Sequence, residues 1–130
     1  MNENAETARR QIQRMLEGTP FGPDDLADDA YDLVTVLLPR GQTALDAVSA
    51  AGLTAVGLPT TYPTTTDGER VGHAACWPAA TDAYAAGLDG VHCRSAATLD
   101  GLGRELAWWP RDQTATWTTR SPYSAWRSSP

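Results

Sequence analysis

Residues 86–98 read A-G-L-D-G-V-H-C-R-S-A-A-T, and how this stretch folds decides the rest. Gly87 and the pair Asp89-Gly90 bracket a turn, and V-H-C-R-S alternates apolar and polar positions as a short strand does. A strand ending in Arg94 and Ser95 places a guanidinium and a hydroxyl together at a sheet edge, a pairing suited to phosphate or ribose. We therefore take Arg94 and Ser95, with His92 beside them, as candidate ligand-binding residues.

Working outward, Pro78 suits the first turn of a helix that runs to Ala86 and stops at Gly87. Downstream, the loop A-A-T-L-D-G-L-G leads to a second strand, R-E-L-A-W-W, closed by Pro110, with Trp108 and Trp109 on opposite faces. Upstream, residues 57–73, G-L-P-T-T-Y-P-T-T-T-D-G-E-R-V-G-H, are expected to form a long loop, and loops of this length in compact domains often cover a site. Tyr62 in this loop is a further candidate ligand contact.

Earlier in the chain, Ala8, Ile12, Met15 and Leu16 recur at helical spacing, with Asn4 as N-cap and Gly18 beyond the C-terminus, which predicts a helix over 4–17. The run D-L-V-T-V-L-L, 32–38, is β-branched and apolar on both faces, so a central strand is expected. T-A-L-D-A-V-S-A-A-G, 43–52, carries a Thr43/Asp46 capping-box pattern and predicts a short helix. Helices and strands in this order define an α+β domain over 1–112, followed by a Ser/Thr/Trp-rich tail over 113–130. Three large aromatics seldom stay in a solvated tail, so the tail is expected to dock, either on its own domain or on a partner. Trp117, Arg120, Tyr123 and Trp126 have the residue types of binding hot spots.

The chain of 130 residues carries 16 acidic and 10 basic side chains, a net charge of -6. That balance argues against nucleic acid as a partner, because phosphate backbones need a concentrated basic face. All ten basic residues are arginine. The opening M-N-E-N-A-E is unlike an export leader, and no apolar run is long enough to span a membrane, so a cytoplasmic protein with reduced thiols is expected. His73, Cys76, His92 and Cys93 fall in one window, but adjacent His92 and Cys93 must point to opposite faces of a strand, so no metal is expected there. The cluster Asp24, Asp25, Asp28 and Asp29 lacks the spacing of a calcium loop. Ser95 lacks the G-x-S-x-G setting of a hydrolase nucleophile.

The succession D-L-V-T-V-L-L-P, L-D-A-V-S-A-A-G-L-T-A-V-G-L-P, D-A-Y-A-A-G-L-D-G-V, C-R-S and R-E-L-A-W-W-P resembles the C-terminal two-thirds of RES-domain proteins, over roughly residues 5–112. Their fold is related to that of the ADP-ribosyltransferases, and characterised members are toxins of toxin-antitoxin pairs that degrade NAD or attach its ADP-ribose to a target. The resemblance implies a shortened fold of that type, NAD as substrate or ligand, and an antitoxin or other protein partner in a homo- or hetero-oligomer. It puts Ser95 at the family serine. Gln11 lies near the position of the family glutamate, with Glu6 as an alternative one or two turns earlier and Glu17 also within reach. The family's arginine and tyrosine lie on strands ahead of that helix, and this chain begins at about the helix. Ser95 and Glu6 are thus the candidate catalytic pair. A non-enzymatic interaction protein working through the aromatic tail is the alternative.

Overall fold

The structure, a computed structural model, describes residues 1–127; residues 128–130 of the expected tail lie outside the described residues. It is a small α+β protein with two sheets. In chain order the elements are α1 (Ala5–Leu16), β1 (Asp32–Leu37), β2 (Ala44–Ala47), α2 (Ala50–Ala55), α3 (Trp77–Ala85), β3 (Gly90–Arg94), β4 (Arg104–Trp108), β5 (Thr116–Pro122) and α4 (Tyr123–Trp126), with single 3-10 turns at Pro23–Asp25 and His73–Ala75.

Helix α1 starts where the N-cap rule places it: the Asn4 side chain accepts a hydrogen bond from the Thr7 backbone N–H at 2.9 Å. Gly18 takes the left-handed conformation just past its end, at φ 80°. The helix buries Ala8 and Ile12 against Tyr123 and Trp126, with Leu16, Leu26 and Leu33 at the margin. Residues 116–126 of the expected tail thus dock on their own domain. β5 pairs antiparallel with β1, from Asp32 opposite Pro122 to Leu37 opposite Thr116, with an irregularity between Thr35 and Val36. The Tyr123 hydroxyl donates to the Pro23 carbonyl at 2.9 Å.

The second sheet has the order β2-β3-β4, with β2 parallel to β3 and β3 antiparallel to β4. Residues at the N-terminus extend it: Asn2 bridges Glu105, and the Leu106 N–H donates to the Met1 carbonyl at 2.7 Å. One face is closed by a core of Ala47, Leu53, Leu58 and Tyr62, with Val91 and Cys93 against it.

Two expectations need correction. The helix over 43–52 is instead β2 followed by α2, which Ser49 caps by accepting from the Gly52 N–H. The apparent capping-box residues do other work: the Thr43 backbone N–H donates to Asp89 at 2.9 Å, and Asp46 accepts from the Val48 and Ser49 backbone N–H groups. These bonds, led by that from the Ser49 hydroxyl, hold the Asp46 carboxyl down to about 2. The second correction concerns β1, which is half of a two-stranded ribbon rather than a central strand. Its apolar residues face α1 and α4 on one side and a groove on the other.

A glycine governs the sheet. Gly90 stands opposite Trp108, and a Cβ there would fall inside the van der Waals radius of the Ala107 carbonyl oxygen. Gly90→Ala should cost about 2 kcal/mol or more, read as a lowered denaturant midpoint at unchanged slope. Removing residues 116–130 strips α1 of Tyr123 and Trp126 and β1 of its partner strand, so that deletion should abolish cooperative unfolding rather than leave a folded 1–115 domain.

Candidate functional site

The residues singled out at the end of β3 do come together, but as a structural corner. The Arg94 guanidinium donates to the carbonyls of Val48 at 2.9 Å, Thr60 at 2.8 Å and Tyr62 at 3.0 Å. It closes the loop over 57–73 onto the sheet. That loop is accordingly no flap: Leu58 and Tyr62 lie in the core. The Tyr62 hydroxyl accepts from the Cys76 thiol at 3.7 Å, and burial pushes its ionisation well above the ordinary phenol range. Ser95 is 0% exposed, and its hydroxyl oxygen accepts from the Ala97 N–H at 3.2 Å within the turn that leads to Gly103. Ser95 and Tyr62 are therefore buried, and Arg94, half-buried, spends its Nε and Nη1 donors on the backbone of the corner.

Glu6 is exposed and paired with Arg9 and Arg10, whose hydrogen bonds hold its carboxyl below the usual range. Of the four tail residues, Tyr123 is 1% and Trp126 5% exposed, so both are core residues and cannot meet a partner as hot spots. Arg120 is engaged with Asp32 yet its side chain is 69% exposed, and Trp117 is open at 70%.

His92 is the candidate that does line a cavity. The register puts His92 opposite Leu106 and Cys93 opposite Glu105, so alternation gives Ala44, Gly90, His92, Leu106 and Trp108 one face of the sheet. That face and Val36 and Leu38 from the β1 segment enclose a groove of about 440 Å³, with Gln42 and Thr43 at its rim. The Trp108 indole N–H donates to the Gln42 side-chain oxygen at 2.7 Å, fixing one wall.

A second groove, also about 440 Å³, runs between α1 and β1 past Ala8, Gln11, Tyr31 and Trp126. The two grooves share Met1, Asn2, Glu3 and Val36, so they meet at the N-terminal strand-like segment. At that junction the Asn2 amide donates to the Gln11 side-chain oxygen at 2.8 Å, and Gln11 in turn donates to Glu105 at 3.1 Å. Two buried side-chain atoms have no partner among the described residues: Asn2 Oδ1 and Trp126 Nε1. Both belong to residues that line this second groove. A buried acceptor or donor left unmet costs about 1–3 kcal/mol, so each of these two atoms is a local cost to the fold.

Sequence reasoning singled out His92 and, through the family resemblance, Gln11, and set Trp108 and Trp109 on opposite faces of their strand, but did not single out the amides Asn2 and Gln42. Their only local signal is polarity, and what makes them lining residues is the approach of two sheets from distant parts of the chain. No group of three or more His, Cys, Asp or Glu side chains able to hold a metal ion occurs among the described residues, and no described helix is long and apolar enough to cross a membrane. Compared with protein-family models, curated proteins and solved structures, the chain matches none.

Cys93 packs against the core, and burial first, then the nearby Glu105 charge, pushes its thiol up to about 11. Since the thiolate is the nucleophile, alkylation of native Cys93 at pH 8 should be at least about tenfold slower than in the unfolded chain. Mass mapping of a time course with and without denaturant checks this. The sign for stability follows: the unfolded thiol ionises near 9 while the native one does not, so stability falls as pH rises through that window toward 11.

Proposed function

We propose that this chain is a RES-like domain that binds a nucleotide of the NAD or ADP-ribose type in the joined grooves between its sheets, without turning it over. The observation that carries this is that Asn2 and Trp126, which each hold a buried polar atom without a partner, Oδ1 and Nε1, both line a groove that continues into a second one beside Trp108 and His92. An elongated ligand with two ring systems suits two cavities that meet at a polar junction. A carboxamide or an adenine edge carries both a donor and an acceptor, the complement of the two unmet atoms.

The same geometry supports binding over catalysis. Ser95 is sealed, Glu6 is tied to two arginines away from the grooves, and the residue beside the junction at the family's helix position is Gln11. Glutamine can hold a ribose hydroxyl but cannot offset a developing oxocarbenium charge as a carboxylate would.

A second reading keeps one supporting observation. Trp117 is exposed on β5, a strand whose described pairing is with β1 alone, so an interaction protein could use that indole as an anchor. Trp117→Ala separates the readings, since it should leave nucleotide binding unchanged.

The test is a thermal-shift titration with NAD, ADP-ribose and nicotinamide. A ligand present at about 100 times its dissociation constant adds roughly 2.7 kcal/mol to a folded state it alone recognises. Gln11→Ala should weaken binding about tenfold by removing the partner of Asn2. His92→Ala should weaken it less. Ser95→Ala should lower the melting temperature while leaving the ligand-induced shift intact, the reverse of what a catalytic serine in the site would give. The reading fails if none of the three compounds shifts the midpoint.

A further inference from the structure

A third cavity lies on the other side of α1 from the joined grooves, and its chemistry is different. It measures about 270 Å³ and lies between the helix residues Arg10, Gln13, Arg14 and Glu17, the loop residue Arg70, and the turn over 97–100. Helical periodicity sets positions 10, 13, 14 and 17 on one face and 8, 11 and 12 on the other. Neither of the larger grooves has an arginine in its lining, whereas this small cavity has three.

The arrangement of two of them is unusual. Arg14 Nη1 and Arg70 Nη1 both donate to the carbonyl oxygen of Ala96, at 3.1 and 3.0 Å. Two guanidinium groups are thus drawn to one neutral acceptor. Compensation is partial. Glu17 is 3.6 Å from Arg70, and Arg10 is shared with Glu6 at 3.0 Å. Asp100, also in the lining, turns one carboxylate oxygen to the Leu102 N–H of its own loop at 2.9 Å. Three cations against the two carboxylates of the lining leave a local positive excess in a chain whose net charge is -6. Each guanidinium keeps unused N–H donors in a planar fork, the geometry that matches a phosphate oxygen pair.

We infer that this cavity is an anion site for a phosphate or pyrophosphate group, free or carried on a small phosphorylated molecule, held by Arg10, Arg14 and Arg70. The anion relieves the repulsion between the two guanidiniums that meet at Ala96. It also ties α1 to the turn that follows Ser95. This site is independent of the nucleotide grooves, since it uses the opposite face of the helix.

The experiment is a calorimetric or thermal-shift titration with inorganic pyrophosphate, with sodium chloride at matched ionic strength as the control. ADP and adenosine run in parallel distinguish a phosphorylated small molecule from the free anion. Pyrophosphate should bind and chloride should not, and Arg70→Gln should weaken binding at least about tenfold, the loss of one charge-assisted contact. Arg10→Gln, at an exposed position that supports no core contact, provides the same test should Arg70→Gln unfold. Gln11→Ala should leave pyrophosphate binding unchanged, so failure here is distinguishable from failure of the groove reading. Binding that is equal in the arginine variants, that chloride reproduces, or that is absent at millimolar pyrophosphate overturns the assignment.

Discussion

The corner made by Arg94 is the constraint on which the rest of the second sheet depends. One guanidinium collects carbonyls from three separated segments, at Val48, Thr60 and Tyr62, and so joins the β2 to α2 turn and the following loop to the end of β3. A buried carbonyl without a donor is costly, and charge-assisted bonds are the stronger kind, so a single arginine here meets several backbone demands at once. Once the loop is closed, Leu58 and Tyr62 complete the core around Leu53. The chain directly after the corner then has no exit except the tight turn through Ser95 to Thr98, where the Thr98 hydroxyl receives the Gly103 N–H and returns the backbone to β4.

Arginine is used in the same way elsewhere. Arg9 reaches the Trp126 carbonyl, Arg104 the carbonyls of Gly101 and Gly103, and Arg111 those of Tyr84 and Leu88 while lying 4.3 Å over the Tyr84 ring. Trp109 meets the same tyrosine edge-on at 5.5 Å. A domain of this size with two modest apolar cores rather than one gains from such links, because each core alone covers only part of the backbone that must leave water. The composition of the basic residues, which by itself says nothing about function, thus acquires a structural meaning. It also explains why Arg94, so suggestive beside Ser95 in the sequence, turns its Nε and Nη1 to backbone carbonyls.

What could be read from the residues was whatever local chemistry specifies. Helix α1 announces itself by Asn4, Gly18 and the Ala8-Ile12-Leu16 stripe, and β3 and β4 by alternation between turn residues. β2 was illegible because T-A-L-D-A-V-S meets the local criteria for a helix start, while its strand conformation is imposed by parallel pairing with β3 more than forty residues away. The burial of Ser95 was equally hidden, since its N–H donates to the Gly103 carbonyl where the turn returns to β4, which no pattern around Ser95 reports. At the candidate site, His92 and Gln11 were visible as polar residues on regular elements. The groove itself was not, because no local pattern reports that two sheets will approach without merging.

That incomplete merging has a physical origin. A two-stranded ribbon is marginal in isolation, so β1 and β5 persist only because α1 and α4 pack across them. Packing by helices fixes one side of the ribbon and leaves Val36 and the residues after β1 facing the second sheet across a gap instead of bonded to it. The N-terminal segment partly fills that gap, and does so with Asn2, a polar residue whose amide nitrogen is used and whose oxygen is not. An apolar residue there would seal the junction at no polar cost. An amide at that point, with Trp126 and its unmet indole N–H lining the same groove, is the polar feature on which the proposed nucleotide reading rests, since binding sites set a few placed polar groups in an otherwise apolar lining.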